Sequence, residues 1–134
     1  MKTVLFVCVH NAGRSQMAEA LANALARQRG VEVQAFSAGT EGGAQLNPMA
    51  VAAMTELGIS LDGHHPKLLT QEMADSADRI VTMGCGVDAE KCPARVHFSD
   101  DWGLDDPKGR PIEEVRVIRD QIAERVGKLL DELA

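Results

Sequence analysis

Residues 3–29 carry the pattern that most narrows what this chain can become. Thr3 to Val7 is a short run of apolar and β-branched residues, the signature of a buried strand. The run ends on Cys8, passes through a loop containing Asn11 and Gly13, and enters an alanine-rich helical pattern at Gln16 that continues to Arg29. Met17, Leu21, Ala24 and Leu25 fall on one face of that helix, and Gly30 stops it. Val31 to Phe36 then alternates apolar and polar residues as a second strand. Strand, helix and strand in this order imply a right-handed parallel crossover, and hence an α/β sheet.

The loop at the first strand–helix junction is the candidate site. Its backbone N–H groups and the helix N-terminus converge on one point, which suits a tetrahedral oxyanion. Val9, His10, Asn11, Ala12 and Gly13 supply the loop amides, and Arg14 adds a planar fork able to hold two oxygens at once. Cys8 lies at the floor, where positive potential favours thiolate over thiol. The hydroxyl of Ser15 is placed to hydrogen-bond that sulfur. Cysteine, five residues and arginine thus form a nucleophile with an oxyanion clamp. No Gly-Lys-Ser/Thr follows, so this is not a nucleotide-binding P-loop.

The rest of the chain continues the α/β pattern. Asn47 and Pro48 are an N-cap and a first helical residue, opening a helix to about Leu57 that Gly58 stops. The stretch from Asp62 to Pro66 is a turn-rich connection to a short helix around Thr70–Ala77. Arg79–Thr82 and Arg95–Phe98 read as the third and fourth strands. Pro111 to Leu133 is a long amphipathic helix, with Val115, Ile118, Ile122, Val126, Leu129 and Leu133 at spacings of three and four. The expected architecture is one domain over residues 1–134, a small parallel sheet with helices on both faces.

Charge and composition exclude several functions. A net charge of −6 with no basic cluster disfavours nucleic acid. No apolar run approaches a membrane span, and no leader pattern precedes the first strand, so a cytoplasmic location is expected. There the 3 cysteines rest as thiols. Tyrosine is absent and Trp102 and 3 phenylalanines are the only aromatics, which leaves few stacking partners for an aromatic phosphoester. His64 and His65 are adjacent and point to different sides, so a structural or solvated role is expected rather than a metal site.

A second cysteine cluster, Met83 to Pro93, follows the third strand. Cys85 and Cys92 are separated by six residues, too far for a zinc knuckle or a thioredoxin-type redox pair. Glycines flank Cys85, and Glu90–Lys91 precede Cys92, so a mobile surface segment is expected. Such a segment can bring two Cα atoms to the roughly 5.5 Å that a disulfide needs.

The run CVHNAGRSQMAE, Cys8 to Glu19, resembles the active-site loop of the low-molecular-weight tyrosine phosphatase superfamily. Gln16 stands where its phosphatases usually carry proline, which is closer to the arsenate reductase branch. The resemblance extends through Ser37–Ala38–Gly39, Asn47–Pro48, Thr82 to Pro93 and Trp102 to Pro107, nearly the whole chain. Cys85 and Cys92 match the pair of the three-cysteine reductases coupled to thioredoxin. The resemblance implies a phosphatase-like fold with a four-stranded parallel sheet, and reduction of arsenate with phosphate or sulfate as analogues. It also implies a Cys8/Cys85/Cys92 disulfide cascade re-reduced by thioredoxin, with no bound cofactor or metal, in a monomer. Asp106 before Pro107 matches the family's general acid, with Asp105 the weaker candidate and Trp102 placed to shield the carboxylate. Gly13 stands where many relatives have a further cysteine. Some relatives hold potassium; Asn11, Glu19 and Ser37 match their ligands, but Lys67 stands at the position of their Asp, and its ammonium can replace the ion. Two rival readings remain open within this resemblance: resolution by a small thiol such as mycothiol, bacillithiol or glutathione, and phosphomonoester hydrolysis. A non-enzymatic oxyanion-binding module has no use for Cys8, Arg14 and Asp106 together.

Overall fold

A computed structural model describes residues 1–41, 43, 45–83 and 99–134. The organising element is β1, Lys2–Cys8, which is apolar along most of its length because the sheet is covered on both sides. Val4, Phe6 and Cys8 face the larger of two core clusters, and Leu5 and Val7 the smaller. Alternation along one strand therefore serves two different covers.

Three further strands complete the sheet: β2, Val33–Gly39; β3, Arg79–Thr82; and β4, Asp100–Asp101. All pair in parallel, in the order β2-β1-β3-β4. The expected strand at Arg95–Phe98 lies outside the described residues. β2 begins two residues later than its apolar pattern suggests, because Val31 closes the preceding helix by donating its amide to Ala26 O at 2.9 Å. At its other end β2 runs on through Ser37, Ala38 and Gly39, which pair with Phe6, Val7 and Cys8. Those three residues have weak strand preference, and pairing with a central strand overrides it.

Helices α1, Arg14–Arg29, α2, Pro48–Thr55, and α4, Ile112–Leu133, pack with the larger cluster. Helix α3, Gln71–Ser76, covers the smaller one. In α4 the buried stripe is Val115, Ile118, Ile122, Val126, Leu129 and Leu130, with Leu133 only partly covered. Each such aliphatic side chain contributes about 1.5–3 kcal/mol relative to exposure. The buried face of α1 differs from the expected one. Arg14 to Ala22 are all buried, and Ala26 continues the contact, whereas Ala24 and Leu25 are half-buried. The first half of α1 is enclosed by the sheet and two helices, so one stripe does not describe it.

Local signals hold the ends in place. Asn47 Oδ1 accepts from the amide of Met49 at 2.9 Å, and Thr70 Oγ1 from that of Met73 at 3.2 Å. Gly30, at φ 68°, gives α1 its left-handed C-cap. α2 and α4 are tied by Glu56, which takes a two-pronged contact from Arg116 at 2.6–3.0 Å and another bond from Arg119 at 2.8 Å. The Arg116 hydrogen bonds, helped by Arg119, draw the Glu56 carboxyl down to about 2. At the opposite sheet end, hydrogen bonds from the amide and hydroxyl of Thr3 hold the Asp78 carboxyl below its ordinary range.

Parallel pairing places the ends of β1, β2 and β3 side by side: Cys8 lies opposite Gly39, and Val7 opposite Thr82. The chain leaves β1 toward α1 and β2 on one side, while β3 lies on the other. Open α/β sheets bind their ligands in the crevice formed where strand order reverses in this way.

Candidate active site

At that crevice the loop after β1 folds around the sulfur of Cys8. Asn11 adopts φ 55°, a left-handed turn that asparagine tolerates better than most residues. The turn points its amide back to Cys8 Sγ at 3.1 Å, and Ser15 Oγ lies 2.8 Å from the same sulfur. Asn11 Nδ2 donates to Ser15 Oγ at 2.7 Å. The hydroxyl therefore keeps its own proton available for the sulfur, which has two donors within reach, Ser15 Oγ and the Asn11 amide.

The N-terminus of α1 has no side-chain cap and no acidic residue in its first turn. Among the described residues, the amides of Val9, His10, Ala12, Gly13, Arg14 and Ser15 donate to no protein acceptor. An unsatisfied row of donors at a helix start is a seat for an anion.

Arg14 is 5% exposed. Its Nη1 donates to Leu104 O at 2.8 Å and to Met83 O at 3.3 Å. The ends of β3 and of the segment after β4 thus grip one side of the guanidinium, leaving Nη2 and Nε for other work. Nη2 stands 4.0 Å from Asp106 Oδ2. Asp106 is half-exposed, and its Oδ1 accepts the amide of Lys108 at 3.0 Å, so Oδ2 is the oxygen turned toward Arg14. Cys8, His10, Ala12, Gly13 and Arg14 face Leu46, Asn47, Pro48, Asp106 and Lys108 across a cavity of about 430 Å³.

The residues singled out by sequence separate here. His10, Ala12, Gly13 and Arg14 line the cavity with Cys8; Val9 and Asn11 do not. Val9 uses its carbonyl to hold Glu41, and fully buried Asn11 spends its amide on the sulfur. Asp106 lines the cavity and exposed Asp105 does not. Trp102, expected to shield Asp106, is not among the residues lining the cavity; it is buried in the core against Phe6, with ring centroids 5.4 Å apart. Gly13 has a packing role, since a Cβ there would meet Pro107 Cγ at 2.7 Å. Its bare backbone lets the Asp106–Pro107 turn seat on the loop. Cys85 and Cys92 lie outside the described residues.

Behind the loop, Glu19 is buried and accepts from Ser37 Oγ at 2.9 Å, while Lys67 Nζ stands 3.8 Å from its Oε1. The ammonium of Lys67 thus reaches the Glu19 carboxylate. His64 Nδ1 lies 3.2 Å from Glu19 Oε2, a structural contact. Sequence reasoning missed the anchoring of Arg14 by two carbonyls and the partners of Gln16. Carbonyl acceptors leave no trace in residue identity. A glutamine directly ahead of the alanine-rich run of α1 was the available signal for the other.

The model of the low molecular weight phosphotyrosine protein phosphatase family matches residues 3–134. The chain belongs to this family. Within it, the chain is 40% identical over 132 residues to a putative arsenate reductase of Halobacterium salinarum, covering 95% of this chain and 89% of that one. It is 35% identical to the glutaredoxin arsenate reductase of a Synechocystis species, over the full length of both. Among solved structures, an arsenate reductase in the phosphate-binding state superposes with a TM-score of 0.84 at 36% identity, covering 100% of both chains. An arginine phosphatase from Geobacillus stearothermophilus superposes with a TM-score of 0.80 at 27% identity, covering 99% of this chain and 93% of that one. The four-stranded parallel sheet and its helices are the fold of this phosphatase family.

If Asp106 is the acid of this site, Asp106→Asn slows the step in which a proton is given to the leaving oxygen by about 10²–10⁴-fold. Phosphate affinity stays close to native, because Arg14 and the amides are untouched. Asp105→Asn changes the rate by no more than about 3-fold, as expected of an exposed carboxylate away from the cavity. Rapid-quench rates and phosphate titrations of both variants check this; equal losses at the two positions would displace the acid from Asp106.

Proposed function

We propose that this protein reduces arsenate to arsenite, with Cys8 as nucleophile and a Cys8/Cys85/Cys92 disulfide cascade re-reduced by thioredoxin. The observation that carries the reading is the Cys8 sulfur at the floor of an uncapped anion seat beside Arg14, in a chain with two further cysteines seven positions apart. Relatives named as arsenate reductases, one solved with phosphate bound, support the substrate.

Arsenate sits on the free amides and the open edge of Arg14. Cys8 thiolate attacks arsenic, an S–As bond forms, and Asp106 protonates the departing oxygen, which leaves as water. Cys85 thiolate then attacks Cys8 sulfur. An S–S bond forms, the S–As pair passes to arsenic, and arsenite leaves with its two electrons. Cys92 thiolate attacks Cys85, releases Cys8 and leaves a Cys85–Cys92 disulfide. A dithiol donor reduces that bond and completes the cycle.

Thioredoxin is the donor in this reading because the Cys85–Cys92 pair needs only a general dithiol reductant. The Synechocystis relative is named for glutaredoxin, which keeps a small-thiol route as the rival. Arsenate-dependent NADPH oxidation should be fast with thioredoxin and its reductase, and at least about 10-fold slower with glutathione and glutaredoxin. The reverse order would transfer the protein to the small-thiol route.

One observation favours a second reading, phosphomonoester hydrolysis. The cavity, about 430 Å³, is much larger than a tetrahedral oxyanion, and phosphatases share the fold. Hydrolysis uses Cys8, Arg14 and Asp106 alone, so phosphoester turnover that persists in Cys85→Ser at native rate and exceeds arsenate turnover would establish it.

A further inference from the structure

Gln16 is fully buried in the first turn of α1, and every hydrogen bond it makes has a fixed direction. Its Nε2 lies 2.9 Å from Asn11 Oδ1, 3.2 Å from Asn11 O and 3.0 Å from His65 O. All three are acceptors, so this end of the amide is the NH₂ group. The other end, Oε1, lies 3.0 Å from His64 Nδ1. An amide oxygen only accepts, so Nδ1 is the donor in this contact; the same nitrogen lies 3.2 Å from Glu19 Oε2.

The direction propagates to the sulfur. Asn11 Oδ1 accepts both Gln16 Nε2 and the amide of Lys67, the latter at 2.9 Å. Asn11 must then turn Nδ2 to Ser15 Oγ, and Ser15 must turn its proton to Cys8 Sγ. Gln16 also binds the Asn11 carbonyl, within the left-handed turn whose amide reaches the same sulfur. Both hydrogen bonds to Cys8 therefore depend on one residue that Gln16 holds at two points.

We propose that Gln16 is a positioning residue for Cys8, holding Asn11 so that two donors point at the sulfur. This rests on Cys8 being the nucleophile, and it assigns to Gln16 a role that a space-filling side chain cannot perform. A packing role predicts that Gln16→Met, which keeps the volume, leaves the reactivity of Cys8 unchanged. The positioning role predicts that it falls, and falls further in Gln16→Glu, whose carboxylate sets acceptor against the three acceptors around Nε2.

Alkylation of Cys8 by iodoacetamide, followed by mass mapping of the Cys8 peptide in the full chain, reads this without arsenate. Near about pH 8, Gln16→Glu should alkylate about 10–100-fold more slowly than the native protein, the loss of hydrogen bonds to a charged group. Gln16→Met, equal in size and without polarity, should be slowed by about 3–10-fold, since the Lys67 amide still holds Asn11 Oδ1. The Gln16→Glu rate relative to native should recover toward about pH 5, as a protonated carboxyl regains one donor for Asn11. Met fills the same volume and brings no charge into the core, although it leaves the carbonyls of Asn11 and His65 without this donor, so Gln16→Met is the milder of the two variants; thermal melting confirms which variants are folded. Native alkylation rates in Gln16→Met, or a folded Gln16→Glu that matches or outpaces it, would overturn the proposal. Neither result touches the arsenate reading, which arsenate-dependent NADPH oxidation tests.

Discussion

Cys8→Ser is expected to abolish arsenate reduction, a loss of at least about 10⁴-fold, while the fold stays intact. Cys8 ends the central strand and is buried, with its sulfur bonded to Asn11 N and Ser15 Oγ. A hydroxyl is smaller than a thiol and fits the same place, so the substitution removes the nucleophile and little else. Ser does not ionise in this range, and it cannot accept the S–S bond by which electrons leave. Phosphate binding should persist, since the free amides and Arg14 remain. Arsenite release, the melting temperature and a phosphate titration, measured together, separate chemistry from folding and binding. Multiple turnover of arsenate by this variant would remove Cys8 from the reaction.

Arg14→Lys should be nearly as damaging as Arg14→Ala, each by about 10²–10³-fold, although lysine keeps the charge. The guanidinium does two things at once. Nη1 is held by the carbonyls of Leu104 and Met83, and the remaining edge faces the cavity near Asp106. One ammonium nitrogen cannot be anchored at two backbone carbonyls and also clamp two oxygens of a bound oxyanion. Lysine would either leave those buried carbonyls without a donor or leave the anion under-held. Steady-state kinetics of both variants check this, and a lysine variant retaining most of its activity would make Arg14 a point charge only.

Much of this was readable from the chain because the signals were local. A run of β-branched and apolar residues ending on cysteine, then a loop, arginine and an alanine-rich helix, defines β1, the anion seat and α1 without any distant contact. The spacing of Val115, Ile118, Ile122, Val126 and Leu129 likewise gives α4 its buried face. Asn47–Pro48 and Thr70 mark helix starts by the bonds their side chains make to nearby amides.

What was not readable depends on residues far apart in sequence. Ser37–Ala38–Gly39 falls beyond the alternating stretch that ends at Phe36, and only pairing with β1 makes it strand. Trp102 near an Asp-Pro turn looks like a lid until Phe6, on another strand, claims its ring. Val9 and Asn11 fall in the anion loop by position, yet only the folded turn shows that Asn11 serves the sulfur instead of the cavity. Gln16 gains its meaning from His64 and His65, nearly fifty residues away. Polar side chains without a local partner are where sequence patterns say least, because their partners come from topology.

A single turnover shows whether Cys8 passes two electrons to arsenate and hands the oxidation to Cys85 and Cys92. Fully reduced protein is mixed with excess arsenate and no reductant; arsenite is counted, free thiols are alkylated, and disulfides are mapped by peptide mass. About one arsenite per chain, a Cys85–Cys92 disulfide, and Cys8 recovered as an alkylatable thiol are expected. No arsenite, or arsenite only when a small thiol is added and left in mixed disulfide with Cys8, would contradict the cascade.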